Sequence, residues 1–491
     1  LPNDAVDLVV RSDLVVTPQG ARRAWVAVKG GRVVAIGDGL SQPPASRVID
    51  ATGKYVMPGL VDPECHVGTH RPIKDSFRSE SRAAAAGGVT TWGVHQATAK
   101  IRKTYIEFPQ PSDIVPASQA MPDFIEQGEE QSVVDFYITP FITTDEQALD
   151  IPRVAQEYGV TSFKFYLQLM QGPRTQSEWI GRQRGGFLGF DDGTVFLGME
   201  KTAEIGPPGV VAIHPENWEI VRILEERLKK AGRTDMAAWD ERSPHFCEAG
   251  HVRNYAYYAR ITGCPLHINH TTTPETVQEI VKARAEGAKV YSQTGHHYLG
   301  LNHDVWKINV PLRDEAVREW LWQPLRDGII DCVGTDHVDM GLPREKMDRG
   351  NVWDTISAFP ARVEALAPVM MTEGVLKGRI SIERMAQVCC ENPARIFGLY
   401  PKKGVIAVGA DADFAIIDAK RAMTVNRGMI QSSSGWSVWE GTELRGWPVM
   451  TILRGKVIAE WPDEAPRAQV IDPPYGRYQP RKPGHQLYPV E

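Results

Sequence analysis

No Cys-x-x-Cys pair occurs among the six cysteines, Cys65, Cys247, Cys264, Cys332, Cys389 and Cys390. Their scatter excludes a cysteine zinc site and a disulfide framework, and reduced thiols fit a cytoplasmic protein. No apolar run approaches the ~20 residues that a membrane helix needs, and no signal-like start is visible. Basic charge is not in excess either. The 55 Lys and Arg stand against 61 Asp and Glu, a net charge of −6, which offers no field for nucleic acid or an anionic membrane. These absences leave small-molecule chemistry. Hydrophobic residues at 42% and charged residues at 24% are ordinary globular proportions, so the 491 residues should bury a sizeable core.

What is present is organised in two textures. Apolar alternation marks short strands at 6–10, 14–17, 24–29 and 32–36, the last two joined by Gly30-Gly31, a hairpin signal. The same texture returns at 413–418, 449–454 and 456–460. Between these ends, apolar strand-like runs alternate with helical segments of mixed charge, as in 210–214 then 218–231, and 265–270 then 273–286. Repeated β-then-α units predict parallel strands with crossover helices, and a (β/α)8 barrel is the natural α/β arrangement. Such a barrel carries its reactive residues at the C-terminal strand ends.

Five polar residues share that context. His66 follows 55–62, Lys164 sits in Val160-Thr161-Ser162-Phe163-Lys164, His214 ends Val210-Val211-Ala212-Ile213, His270 ends Leu266-His267-Ile268-Asn269, and Asp336 follows 329–335. Imidazole and carboxylate are good ligands for Zn²⁺ and similar ions, which lower the pKa of a bound water to about 7. Two ions roughly 3.5 to 4 Å apart need a bridging anion. An ammonium cannot serve, but a lysine in an apolar run is pushed toward its neutral form, which adds CO2 to become a carbamate with two oxygens. If Lys164 reacts in this way, it stands as an N6-carboxylysine. Asp336 would ligate one ion and act as general base and acid, taking a proton from the water and giving it to the leaving nitrogen.

At these residues the sequence resembles the hydantoinase, dihydropyrimidinase, allantoinase and dihydroorotase group of the amidohydrolase superfamily. The resemblance is carried by Val56-Met57-Pro58-Gly59-Leu60-Val61-Asp62, Ser162-Phe163-Lys164, Ile213-His214-Pro215-Glu216-Asn217, Pro265-Leu266-His267-Ile268-Asn269-His270 and Gly334-Thr335-Asp336-His337, in order. It continues through Glu391-Asn392-Pro393-Ala394-Arg395, Gly409-Ala410-Asp411-Ala412-Asp413, Gly446-Trp447-Pro448-Val449 and Arg454-Gly455-Lys456-Val457. The texture is closest to hydantoinase or dihydropyrimidinase. The resemblance implies an N6-carboxylysine at Lys164, a TIM-like barrel over 58–402, a small β-sandwich formed from both termini (1–57 and 403–461), and a homo-oligomer, usually a tetramer, with a dimer as the alternative. The proline-rich stretch 462–491 reads as an extended arm that packs on a neighbour or stays mobile.

Two departures bear on chemistry. The family's first ligand pair is His-x-His, but here it reads Glu64-Cys65-His66. Glu64 either keeps two metals in a more anionic site, suited to Mn²⁺ or Fe²⁺ as well as Zn²⁺, or leaves one. The family's tyrosine five residues after the lysine is replaced by Leu169, with Tyr166 offset. Residues 171–193 form a Gly- and Arg-rich stretch of lid type, in which Arg174, Arg182 and Arg184 suit a substrate carboxylate or a solvated face. His267, His297, His337, Asn309 and Tyr166 are candidates to support the ligands or touch substrate. His70, His95, His245, His251, His303 and His485 read as surface or hydrogen-bonded core residues. The expected activity is metal-activated hydrolysis of a cyclic amide C–N bond. The alternatives are a linear amide or carbamate on the same site, and a non-enzymatic dihydropyrimidinase-like scaffold.

Overall fold

The computed structural model describes residues 5–39, 41–69, 71–97, 114–167, 191–357, 362–463 and 465–484. Leu169, Arg174, Arg182 and Arg184, with nearly all of 171–193, lie outside the described residues, as do His70 and His485.

The chain begins with five strands, β1 (Val6–Thr17), β2 (Gly20–Lys29), β3 (Arg32–Gly37), β4 (Ala45–Asp50) and β5 (Tyr55–Pro58). Period-2 alternation sorts β2 into two faces. Ala24, Val26 and Val28 pack with Leu8, Val10, Phe414 and Ile416, whereas Trp25 and Ala27 pack with Val6 and Val9. The β2–β3 hairpin turns at Gly30 and Gly31, whose φ of 57° and 77° are the left-handed values that a two-residue turn demands.

The middle of the chain supplies β6 (Leu60–His66), β7 (Val89–Ala97), β8 (Asp135–Phe141), β9 (Ser162–Tyr166), β10 (Val210–His214), β11 (Leu266–Ile268), β12 (Val290–Gly295), β13 (Cys332–Gly334) and β14 (His337–Val338). They are hydrogen-bonded in the order β13-β12-β11-β10-β9-β8-β7-β6-β14. β14 resumes β13 beyond Thr335-Asp336 and pairs in parallel with β6, His337 lying opposite Cys65, so the ring closes on itself. Counting β13 and β14 as one interrupted strand, the nine form the expected (β/α)8 barrel. Continuous apolar runs such as β10, buried at every residue, are what strands covered on both faces require. Outer helices start on side-chain caps: Asn217 and Thr273, a few residues beyond β10 and β11, accept from the Ile220 and Thr276 amides, and Asp314 accepts from Val317.

The chain then returns to the first layer through β15 (Phe414–Thr424), β16 (Glu443–Leu453), β17 (Lys456–Glu460) and β18 (Gln469–Val470). The combined sheet runs β18-β17-β16-β15-β5-β1-β2-β3, with β4 beside β1, so both ends of the chain share one sheet. A buried ion cluster pins it to the bottom of the barrel. The Lys403 ammonium lies 2.6 Å from Asp135 Oδ2 at the start of β8, 2.9 Å from Asp411 and 2.7 Å from Asp413, and Arg454 also pairs with Asp135.

Over 476–481 the arm packs on its own chain. Gly476 N donates to Ser132 O at 2.8 Å and Gln479 N to Phe136 O at 2.7 Å, and the buried Arg481 guanidinium donates to Ser162 Oγ at 3.0 Å and Ile138 O at 2.9 Å. The arm's own guanidinium and backbone amides thus satisfy acceptors at the barrel floor, which ties it to its own chain. Among the described residues no helix is long and apolar enough to cross a membrane.

Candidate metal centre

Strand geometry brings the sequence candidates to one end of the barrel. Glu64 and His66, two apart on β6, point the same way, while Cys65 turns into the hydrophobic core. Lys164 projects from β9, His214 ends β10, His270 lies two residues beyond β11, and Asp336 occupies the break between β13 and β14. Among the described residues only three non-glycine residues have positive φ, and two are His270 (59°) and Asp336 (47°). Such backbone costs about 1–3 kcal/mol and persists where the surroundings over-determine it, commonly at functional sites.

The side chains meet closely. One ligand atom each from Glu64, His66 and Asp336 lie within 4.8 Å of one another, all buried. His66 Nε2 is 3.1 Å from Asp336 Oδ1. Glu64 Oε1 accepts from Lys164 Nζ at 2.9 Å and lies 3.4 Å from His270 Nε2. Burial alone would raise the Glu64 pKa, but the neighbouring His270 and Lys164 charges outweigh it and hold the carboxyl well below the usual range. Burial also presses the Lys164 amine below its ordinary pKa, against the pull of Glu64.

His214 tests whether this donor set suits a cation. Its Nε2 sits 3.2 Å from Glu216 Oε2, an acceptor, so that nitrogen carries the proton and Nδ1 keeps a lone pair. Nδ1 is buried and has no hydrogen-bond partner among the described residues. Burial holds the ring's pKa at about 4, so it is neutral near pH 7. A neutral imidazole, fixed by a carboxylate on one nitrogen and bare on the other, is the form that ligates metals. The residues fit a divalent ion.

Supporting residues lie one layer out. His267 Nε2 is 3.0 Å from Gln293 Oε1, and Gln293 Nε2 donates to Glu64 Oε2 at 2.6 Å, so a His–Gln chain fixes the carboxylate. His337 Nε2 lies 2.7 Å from Glu80 Oε2. Tyr166 stacks on His214, with ring centroids 4.3 Å apart. His297 Nε2 accepts from Arg362 at 3.1 Å, and the same guanidinium lies 3.3 Å from Asp336 Oδ2. Asn309 accepts from the buried Arg242 at 3.3 Å.

Sequence reasoning had not singled out Glu80, Glu216, Gln293 or Arg362. Only Glu216 carried a local signal, two residues after His214; the others reach the site by tertiary packing alone. His95 is the hydrogen-bonded core residue expected, its Nε2 lying 3.1 Å from Pro63 O, but its place was not foreseen. It is fully buried near the C-terminal end of β7, opposite His66 in register, with Nδ1 3.7 Å from Glu64 Oε1. A second carboxylate group of metal-binding spacing, Asp135, Asp411 and Asp413, is filled by the Lys403 ammonium.

Known proteins share this architecture. The model of the amidohydrolase family matches residues 242–458. An L-hydantoinase from Paenarthrobacter aurescens is 32% identical over 466 residues, covering 92% of this chain and 94% of that protein. An allantoinase from Escherichia coli is 30% identical over 463 residues, covering 92% and 95%. The solved L-hydantoinase (dihydropyrimidinase) from Arthrobacter aurescens superposes with a TM-score of 0.83 at 29% identity, covering 97% of this chain and all of that one. With a barrel-end cluster of this composition and relatives of at least 30% identity along almost its whole length, the chain belongs to the amidohydrolase family.

Proposed function

We propose that this chain is a metal-dependent hydrolase that opens a cyclic amide C–N bond of hydantoin, dihydropyrimidine or imide type. The observation that carries the proposal is the buried meeting of Glu64, His66 and Asp336, with Lys164 and His270 both on Glu64 Oε1. Glu64, His66, Lys164, His214, His270 and Asp336 would hold one or two divalent ions, Zn²⁺ first, with Mn²⁺ or Fe²⁺ favoured by the extra carboxylate. The metal supplies Lewis acidity and lowers the pKa of a bound water to about 7.

The chain's own groups do the rest. Lys164, pressed toward its neutral amine, adds CO2 with loss of one proton, and the N6-carboxylate becomes an anionic ligand. Asp336 accepts the water proton and delivers it to the leaving ring nitrogen. Arg362 at Oδ2 holds that carboxylate in place. His267, His297, His337, Tyr166 and Asn309 hold the ligands or the bound ring. Arg174, Arg182 and Arg184 are proposed for a substrate carboxylate.

The proposal also takes in the wider protein. Its parts are a barrel over 58–402, a β layer from 1–57 and 403–461, and an arm over 462–491. It works in the cytoplasm as a homotetramer or dimer. All six cysteines are free, in keeping with a reducing compartment. Helix His245–Thr262 leaves Phe246, Tyr257 and Ile261 51%, 52% and 57% exposed, apolar surface that a second copy would cover.

The test is ring opening of hydantoins, dihydropyrimidines and cyclic imides, measured beside linear N-carbamoyl compounds, with metal content determined on the same preparation. Metal-dependent ring opening is expected, reduced about 10²–10⁴-fold in Asp336→Asn and abolished in Lys164→Ala. Full turnover by either variant would sink the mechanism. Faster cleavage of the linear compounds would move the bond class, and metal-free protein that Zn²⁺, Mn²⁺ and bicarbonate fail to activate would make the chain a scaffold.

A further inference from the structure

We infer that His95 is an additional metal ligand, its Nδ1 supplying from β7 the imidazole that position 64 lacks on β6. The inference rests on the metal-centre reading above and names a donor outside the set of six.

The geometry comes from the two ends of one ring. His95 Nε2 lies 3.1 Å from the Pro63 carbonyl oxygen, which can only accept, so Nε2 carries a proton. In the neutral ring Nδ1 then bears the lone pair. That atom is buried, has no hydrogen-bond partner among the described residues, and faces Glu64 Oε1 at 3.7 Å. An imidazolium there would draw to the 2.7–2.9 Å typical of a charge-assisted hydrogen bond, at roughly the distance Lys164 attains on the same oxygen. At 3.7 Å the two atoms are instead acceptors facing one another, and among the described residues no hydrogen bond serves Nδ1.

A cation resolves this arrangement. Donors about 2.1 Å from one ion in a tetrahedral site stand roughly 3.4 Å apart. His95 Nδ1 at 3.7 Å and His270 Nε2 at 3.4 Å from Glu64 Oε1 both have that kind of separation. The ring is also held in place. His95 partners His66 in the β6–β7 register, their ring centroids 5.7 Å apart at 69°, and the bond to Pro63 fixes its tautomer. The Glu64 carboxylate is equally constrained, through Gln293 on Oε2. Strand β6 therefore gives a carboxylate where the family has an imidazole, and the neighbouring strand gives the imidazole.

The test compares the full-length parent with His95→Ala and His95→Gln. Each is loaded with Zn²⁺, dialysed and analysed for metal per chain, and X-ray absorption of the loaded protein counts coordinated imidazoles. Both variants should bind the affected ion at least about tenfold more weakly. At saturating Zn²⁺ their spectra should show one imidazole fewer than the parent, and added free imidazole should restore it in His95→Ala. Circular dichroism of the metal-free forms reports folding, and the near-isosteric glutamine carries the test where alanine fails to fold. Parent and variants with the same metal content and imidazole count would overturn the role of His95 alone. A parent that binds no divalent metal would overturn both this inference and the metal-centre reading.

Discussion

Lys403 and Lys164 are both fully buried amines beside carboxylates, at opposite ends of the same barrel. Lys403 lies within 2.9 Å of three of them, Asp135, Asp411 and Asp413, and Arg454 adds a second cation on Asp135. Lys164 reaches one, Glu64, which is ringed by His95 and His270, with His214 beyond. In the first cluster two cations of the protein's own side chains serve three carboxylates and join two layers of structure. In the second, imidazole lone pairs remain unspent at His95 and His214. Similar residue types thus do different work, and the unspent acceptors mark the end where an ion from outside belongs.

That contrast can be broken from either side. Lys403→Met should cost the most, about 3–5 kcal/mol in chemical denaturation, because it strands buried carboxylates, and it should leave metal content per folded chain unchanged. Zn²⁺ at a hundredfold its dissociation constant should stabilise the parent by about 2.7 kcal/mol in the same assay, and a His66→Ala, Asp336→Ala double variant should gain almost none of it. Gln293→Leu, which frees Glu64 Oε2 without touching a ligand, should weaken metal binding about 10–100-fold by equilibrium dialysis.

A further effect concerns pH and leaves the metal centre's ligands untouched. Burial works to raise the Glu80 pKa from 4.5, but His337 outweighs it, with help from Ser432 and Ser79, and holds the group at about 2. A folded pKa below the unfolded one stabilises above pH 4.5, and the contribution fades as pH falls toward 2. Glu80→Gln should therefore flatten the acid limb of the stability profile between those values. An unchanged limb would show that the His337–Glu80 pair adds nothing there.

The barrel was legible because each β-then-α unit repeats an apolar run, a polar strand end and a capped helix. His66, Lys164, His214, His270 and Asp336 stood out for the same reason, and Glu64 only through the resemblance to the family's His-x-His pair. What stayed hidden depends on neighbours distant in sequence. His95 lies near the end of an ordinary-looking strand, and only its register with His66 brings it toward Glu64. Gln293 and Arg362 are polar residues without a motif, and their roles exist only where β12 and the segment after β14 fold over Glu64 and Asp336. The arm's packing was not legible, because proline richness describes its local conformation and says nothing of the Arg481 contacts under the barrel. Lys403 likewise appeared as an ordinary lysine until three distant aspartates closed around it.

The most direct measurement is anomalous scattering from crystals of the protein grown with Zn²⁺ or Mn²⁺. Strong peaks are expected among Glu64, His66 and Asp336, and none among Asp135, Asp411 and Asp413, where Lys403 already supplies the charge. A peak at the Lys403 cluster, or none at the barrel mouth, would contradict the division of labour between the two ends.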